Sequence, residues 1–204
     1  GEAPYLAPEL WELFPDRLDE EGKPERWETR PVKDFANLKG GKQLAKDRIA
    51  STGRIPVFGG AGIMGFTDLH NADEFVIVVG RVGAYCGQFF SHRGKAWVNN
   101  NASLIDFHDN VSGEWLFQAL KHADIDVIKK GAAQPFVSNS DVAKLPIMWP
   151  GINVISIFTK KLCPLIIKSE QNEVESRTLT QLRDLLLPKL MSGEISIRDA
   201  EKMV

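Results

Sequence analysis

Between Ile152 and Leu190 the chain changes texture, and this stretch constrains the fold more than any other. Ile155, Phe158, Leu162, Leu165 and Ile166 fall at helical spacing. After the polar run SEQNEVESRT, Leu179, Leu182, Leu186 and Leu190 resume the series. Apolar residues so spaced form a seam with a period near 3.5, as in a coiled coil. About 35 residues at 1.5 Å each make a rod of about 50 Å. Pro164 removes an N–H within it and is expected to kink or interrupt it. Pro188 and Gly193 are expected to mark its end. Such a seam needs cover, from the chain's own globule or from a second helix. Residues 152–204 are therefore expected to form a long helix and tail that serve dimerisation or assembly.

Upstream, residues 26–151 read as a separate globular domain of α+β class, a mixed sheet with few helices. IPVF (55–58), FVIVVG (75–80), QFF (88–90), AWV (96–98), SLIDF (103–107) and LPIMWP (145–150) are short apolar or β-branched runs bounded by glycine, asparagine or proline. GEWLFQALKHA (113–123) carries Trp115, Leu116, Ala119 and Leu120 at helical spacing. Glycine is dense between residues 40 and 94, so the backbone turns often and approaches itself closely. Residues 1–25, with four prolines, read as a lead-in linker with one helical turn around Glu9–Phe14.

The net charge of −2 says little until it is mapped. Residues 1–25 hold eight acidic and two basic side chains. Residues 26–61 hold eight basic against three acidic, and residues 76–101 hold Arg81, Arg93, Lys95 and no acid. A near-neutral chain can thus present the local positive field that a phosphate backbone needs. With 43% hydrophobic residues it can also bury a core. Cys86 and Cys163 stand far apart, which excludes a disulfide framework and fits a reducing, cytoplasmic setting. The sequence has no apolar run long enough to span a membrane. It opens on glycine, so a piece cut from a longer chain is expected.

Gly60-Ala-Gly62-Ile-Met-Gly65 matches the GxGxxG pattern after a strand-like run. A dinucleotide site needs a helix to start at that loop, its N-terminus facing the pyrophosphate. FTDLHNADEF is too short and polar for that helix, so a nucleotide or S-adenosylmethionine site at Gly59–Gly65 is the minority reading. His70, His92, His108 and His122 lack metal-ligand spacing, and no nucleophile motif is present. No catalytic residue and no metal site is assigned.

IPVFGGAGIMGF (55–66), VIVVGRVGAYCGQ (76–88), the Asn99–Asn101 run and GAAQPFVSNSDVAKLPIMWP (131–150) occur in an order that resembles the specificity subunits of type I restriction–modification enzymes. The lead-in LFPDRLDEEGKPERWE (13–28) and the tail TLTQLRDLLLPKLMSGEI (178–195) are similar to that family too. The resemblance implies one target-recognition domain and one conserved helix, where a full subunit has two of each in pseudo-two-fold array. It implies a partner set: double-stranded DNA, modification subunits, restriction subunits, and a second copy or the other half of the subunit. S-adenosylmethionine, ATP and Mg belong, on this resemblance, to the partner subunits, and this chain needs no cofactor.

In such a piece Lys39, Lys42, Lys46, Arg48, Arg93 and Lys95 are the candidate phosphate contacts. Arg81, Tyr85, Asn99, Asn100, Asn101 and Gln134 are the candidate base contacts, each also readable as a turn-forming or solvated side chain. Leu179, Leu182, Leu186 and Leu190 would seal an antiparallel helix pair, with Arg183 and Asp184 at its edge. Three rivals stay open: a small nucleotide-dependent enzyme, a coiled-coil scaffold, and a recognition domain from a fused type II enzyme.

Overall fold

The computed structural model describes residues 17–20, 22, 24–131 and 134–196. The helical turn expected at Glu9–Phe14 lies outside these residues. Packing divides the chain into two compact units, one up to Thr159 and one from Lys160 onward. The globular unit therefore takes in the first turns of the terminal helix, beyond the boundary expected at residue 151.

Strand β5 (Phe75–Gly80) organises the globule. It lies inside a four-stranded antiparallel sheet, β2 (Ala36–Gly40), β8 (Ala102–Phe107), β5 and β6 (Phe89–Arg93), in that order. Ile77 and Val79 face one core, with Val32, Phe35, Ile105, Leu116, Leu120, Val142 and Ile147. Val76 and Val78 face another, with Phe58, Ala96, Val98 and Ala102. A strand covered on both faces needs apolar residues at every position, which is why FVIVVG is continuous rather than alternating. Each such side chain contributes roughly 1.5–3 kcal/mol when fully buried.

The first core is roofed by helices α1 (Gly113–Lys121) and α2 (Asn139–Lys144). Ser112 caps α1 by accepting the Trp115 N–H. A reciprocal capping box between Ser138 and Asp141 starts α2. The second core is covered by a small sheet of β4 (Gly62–Thr67), β3 (Ile55–Gly59) and β7 (Trp97–Val98). Its β3–β7 pair is parallel, so the strand set is mixed, as expected.

β1 (Glu28–Pro31) and β9 (Pro146–Trp149) pair antiparallel, Glu28 opposite Trp149. The chain thus enters and leaves the globule at adjacent points. Phe35, Trp115 and Trp149 close this seam as a triangle of rings with centroids 5.1–5.4 Å apart.

Helix α3 runs from Ile152 to Met191. Ile155 is buried in the first core. Of the two outcomes expected at Pro164, interruption does not occur: the helix is continuous through it, and the proline ring leaves the Lys160 carbonyl without its usual donor. The helix also passes Pro188 and stops at Met191, where Gly193 takes φ +73° and donates to the Leu190 carbonyl.

Candidate nucleic-acid interface

The glycine-rich stretch at 59–65 is a β-hairpin. Gly59 pairs with Gly62, so Gly60 and Ala61 form the turn and β4 follows at once. No helix starts there, and the context a dinucleotide loop requires is absent at this turn.

The hairpin tip packs on two other loops of the globule, and one of these meets a third. A Cβ on Gly60 would lie 3.2 Å from the Val82 carbonyl and 3.4 Å from that of Asn101. The Arg81 N–H donates to the Asn101 carbonyl at 3.0 Å, and the Arg81 carbonyl accepts the Val137 N–H at 2.9 Å. The Gly83 N–H donates to the Pro135 carbonyl at 3.0 Å. Loops 59–62, 80–88 and 99–102 and residues 134–137 thus converge. They bring together Arg81, Tyr85, Asn100, Asn101 and Gln134. Tyr85, Asn100, Asn101 and Gln134 are exposed, and Arg81 is half-buried. Val82 and Phe136, bridge partners across two of the loops, are exposed apolar neighbours that sequence reading did not single out.

Asn99 departs from the expected role. It is buried, its carboxamide oxygen accepts the Asn100 N–H at 2.8 Å, and its Nδ2 lies 3.5 Å from Met64 Sδ. Its side chain builds the turn and is not offered to a ligand.

Lys130 is pinned to α2. Lys130 Nζ meets Asp141 Oδ1 at 2.7 Å, and Asp141 also accepts from Ser138. The Lys130 bond first, then those from Ser138, hold the Asp141 carboxyl down at about 2. A hydrogen bond to Asp126 raises the neighbouring Lys129 ammonium above its ordinary value.

Of the candidate phosphate contacts, Lys42, Lys46, Arg48 and Lys95 fall into a second region. Arg48 and Lys95 line an open cleft of about 760 Å³ together with Arg54, Asp47, Thr67 and Asp68. Arg48 reaches Asp68 at 4.0 Å. Lys42 and Lys46 are exposed on the segment leading to this cleft. Lys39 stands on β2 and pairs with Asp106 at 2.7 Å.

Arg93 is a correction. Its guanidinium meets Glu114 at 3.0 Å and lies 4.7 Å above the Phe75 ring, tying β6 to α1. A cation so engaged is a structural tie, not a free phosphate contact. No local pattern signals this tie, because Glu114 lies 21 residues away.

In the second unit, Leu182, Leu186 and Leu190 are half-buried and Leu179 is exposed. Leu185 and Leu187 are exposed as well. Three consecutive leucines step by about 100° around a helix, so the apolar surface is broader than one narrow seam. Arg183 and Asp184 pair with each other at 2.6 Å. Among the described residues no helix is long and apolar enough to cross a membrane, and no group of three metal-ligating side chains occurs.

Residues 24–179 match the family model described as type I restriction modification DNA specificity domain. The chain is 36% identical over 102 residues to the HindI type I restriction enzyme specificity subunit of Haemophilus influenzae, covering 48% of this chain and 22% of that subunit. It is 26% identical over 97 residues to the EcoprrI specificity subunit of Escherichia coli, covering 48% and 24%. The S subunit of a type I restriction–modification system from M. genitalium superposes with a TM-score of 0.70 at 22% identity, over 82% of this chain and 46% of that one. The matches thus span about a quarter of each curated relative and just under half of the solved chain.

Proposed function

Because the chain belongs to the family of type I restriction–modification DNA specificity domains, we propose that it recognises one half of a bipartite duplex site. In the assembly we propose, modification and restriction subunits do the chemistry and this chain tells them where. The observation that carries the reading is the convergence of four loops bearing Arg81, Tyr85, Asn100, Asn101 and Gln134 on one side of the globule. Polar side chains on rigidly interlocked loops suit reading base edges in a groove. Lys42, Lys46, Arg48, Arg54 and Lys95 supply phosphate contacts, which set affinity and register without reading sequence.

The leucine-rich end of α3 joins a second copy or the other half of the subunit, since an apolar stripe of this width favours association. S-adenosylmethionine, ATP and Mg are held by the partner subunits, and the assembly works in the cytoplasm. The hairpin at 59–62 weighs against the rival reading as a nucleotide-dependent enzyme.

A mobility-shift titration with duplex DNA tests the proposal. The chain should retard DNA, and the triple variant Lys42→Ala/Lys46→Ala/Lys95→Ala should retard it far less while remaining folded. A folded chain that leaves duplex DNA unshifted refutes the reading and favours a scaffold. Heat released on titration with S-adenosylmethionine would favour the enzyme.

A further inference from the structure

We propose that Arg81 is the guanine-reading side chain of this domain; the proposal rests on the DNA-binding reading above. The first ground is its electrostatic isolation. Residues 76–101 contain no acid. Among the described residues the Arg81 side chain makes no hydrogen bond and no ion pair, and its Nε is buried without a partner. Arg93, on the edge strand of the same sheet, is by contrast neutralised by Glu114. A donor withdrawn from water and given no acceptor is a standing cost to the fold. Such costs gather where a group is held for a ligand.

The second ground is rigidity. The Arg81 N–H and carbonyl are both hydrogen-bonded to other loops, at Asn101 and Val137. The neighbouring Val82 bridges Phe136, and Gly80 lies so close to Gly60 that no side chain fits between them. The root of the arginine is therefore fixed by three separate chain segments.

The third ground is the shape of what remains available. With Nε enclosed, only the two terminal nitrogens can donate outward. They form a planar end-on fork that matches the O6 and N7 acceptors of guanine in the major groove. Two phosphate oxygens accept the same fork, but a phosphate contact needs no fixed root, and the exposed lysines already provide that chemistry. Rigid placement is what base discrimination requires.

The test selects bound sequences from a pool of randomised duplex DNA using the 204-residue chain, Arg81→Lys, Arg81→Met and Lys46→Ala. The wild-type motif should contain an invariant guanine. Arg81→Met should lose preference at that one base pair, roughly ten- to a hundredfold, and keep the rest of the motif. Lys46→Ala should bind more weakly but retain the whole motif. Arg81→Lys keeps the charge and most of the stem, so it should melt with the wild type; its ammonium still reaches guanine acceptors but lacks the fixed fork, so it should keep only a reduced guanine preference. Retention of the full guanine preference by Arg81→Met overturns the proposal. So does a uniform weakening across all sequences, which marks a phosphate contact. A wild-type chain that binds duplex DNA but enriches no motif overturns this inference and leaves DNA binding standing. A chain that binds no DNA overturns both.

Discussion

Gly80→Ala should unseat the hairpin from the loop cluster. A Cβ at position 80 would lie 2.1 Å from the Gly60 carbonyl oxygen, 3.0 Å from its carbon and 3.0 Å from the Tyr85 carbonyl oxygen. All three are backbone atoms, so no rotamer change relieves the overlap, and the hairpin tip must retreat by roughly 1 Å or more. Overpacking of this kind costs about 1–3 kcal/mol. Gly80 also donates to Gln88 and accepts from Gly87, and losing either bond adds about 1 kcal/mol. The expected loss is about 2–4 kcal/mol. Gly40→Ala is the control: an added Cβ there meets nothing within 4 Å, and replacing a strand glycine should be neutral or stabilising by up to about 1 kcal/mol. Urea titration followed by tryptophan fluorescence reads both. With a slope of about 2 kcal/mol per molar, Gly80→Ala should lower the midpoint by about 1–2 M. A midpoint within about 0.3 M of wild type would show that the hairpin does not rest on Gly80 and would refute the interlocked-loop account.

Three further outcomes follow from the same contacts. Arg93→Ala should cost about 1–2 kcal/mol in a urea melt, because Glu114 loses its ion pair in a half-buried site, yet DNA affinity should fall no further than that destabilisation explains. The Asp141 carboxyl is held down at about 2, so its stabilising bonds are complete above the ordinary carboxylate value and fade as pH falls from about 4 toward 2. Asp141→Asn should flatten that part of the stability–pH profile, and limited proteolysis should find the chain at Lys130 more exposed. Leu182→Asp with Leu186→Asp should convert a self-associating chain to a monomer in sedimentation at tens of micromolar; a wild-type monomer under those conditions removes the pairing role.

Much of the fold was legible because buried strands leave an uninterrupted apolar signature. FVIVVG fixed the place of β5, and the spacing of Trp115, Leu116 and Leu120 fixed α1. β4 was hidden by Gly62 and Gly65, and β1 and β2 by proline, charge and their short length. Their pairing comes from partners far away in sequence, not from local preference. For α2 the Ser138–Asp141 capping signal was present but unread. The site divided in the same way. Nothing local in the sequence distinguishes Arg81 from Arg93, or Asn99 from Asn101. One arginine found a carboxylate across the sheet and the other did not; one asparagine turned inward to close a turn. Those outcomes depend on tertiary placement, which residue type alone does not encode.

As proposed, this globule binds duplex DNA through its cationic, loop-rich surface. The most direct test is the equilibrium constant for a labelled duplex measured across a range of salt concentrations. With four to six phosphates contacted, a plot of log K against log salt should fall with a slope of roughly −4 to −5. A flat plot, or no binding at the lowest salt by a folded chain, would contradict it.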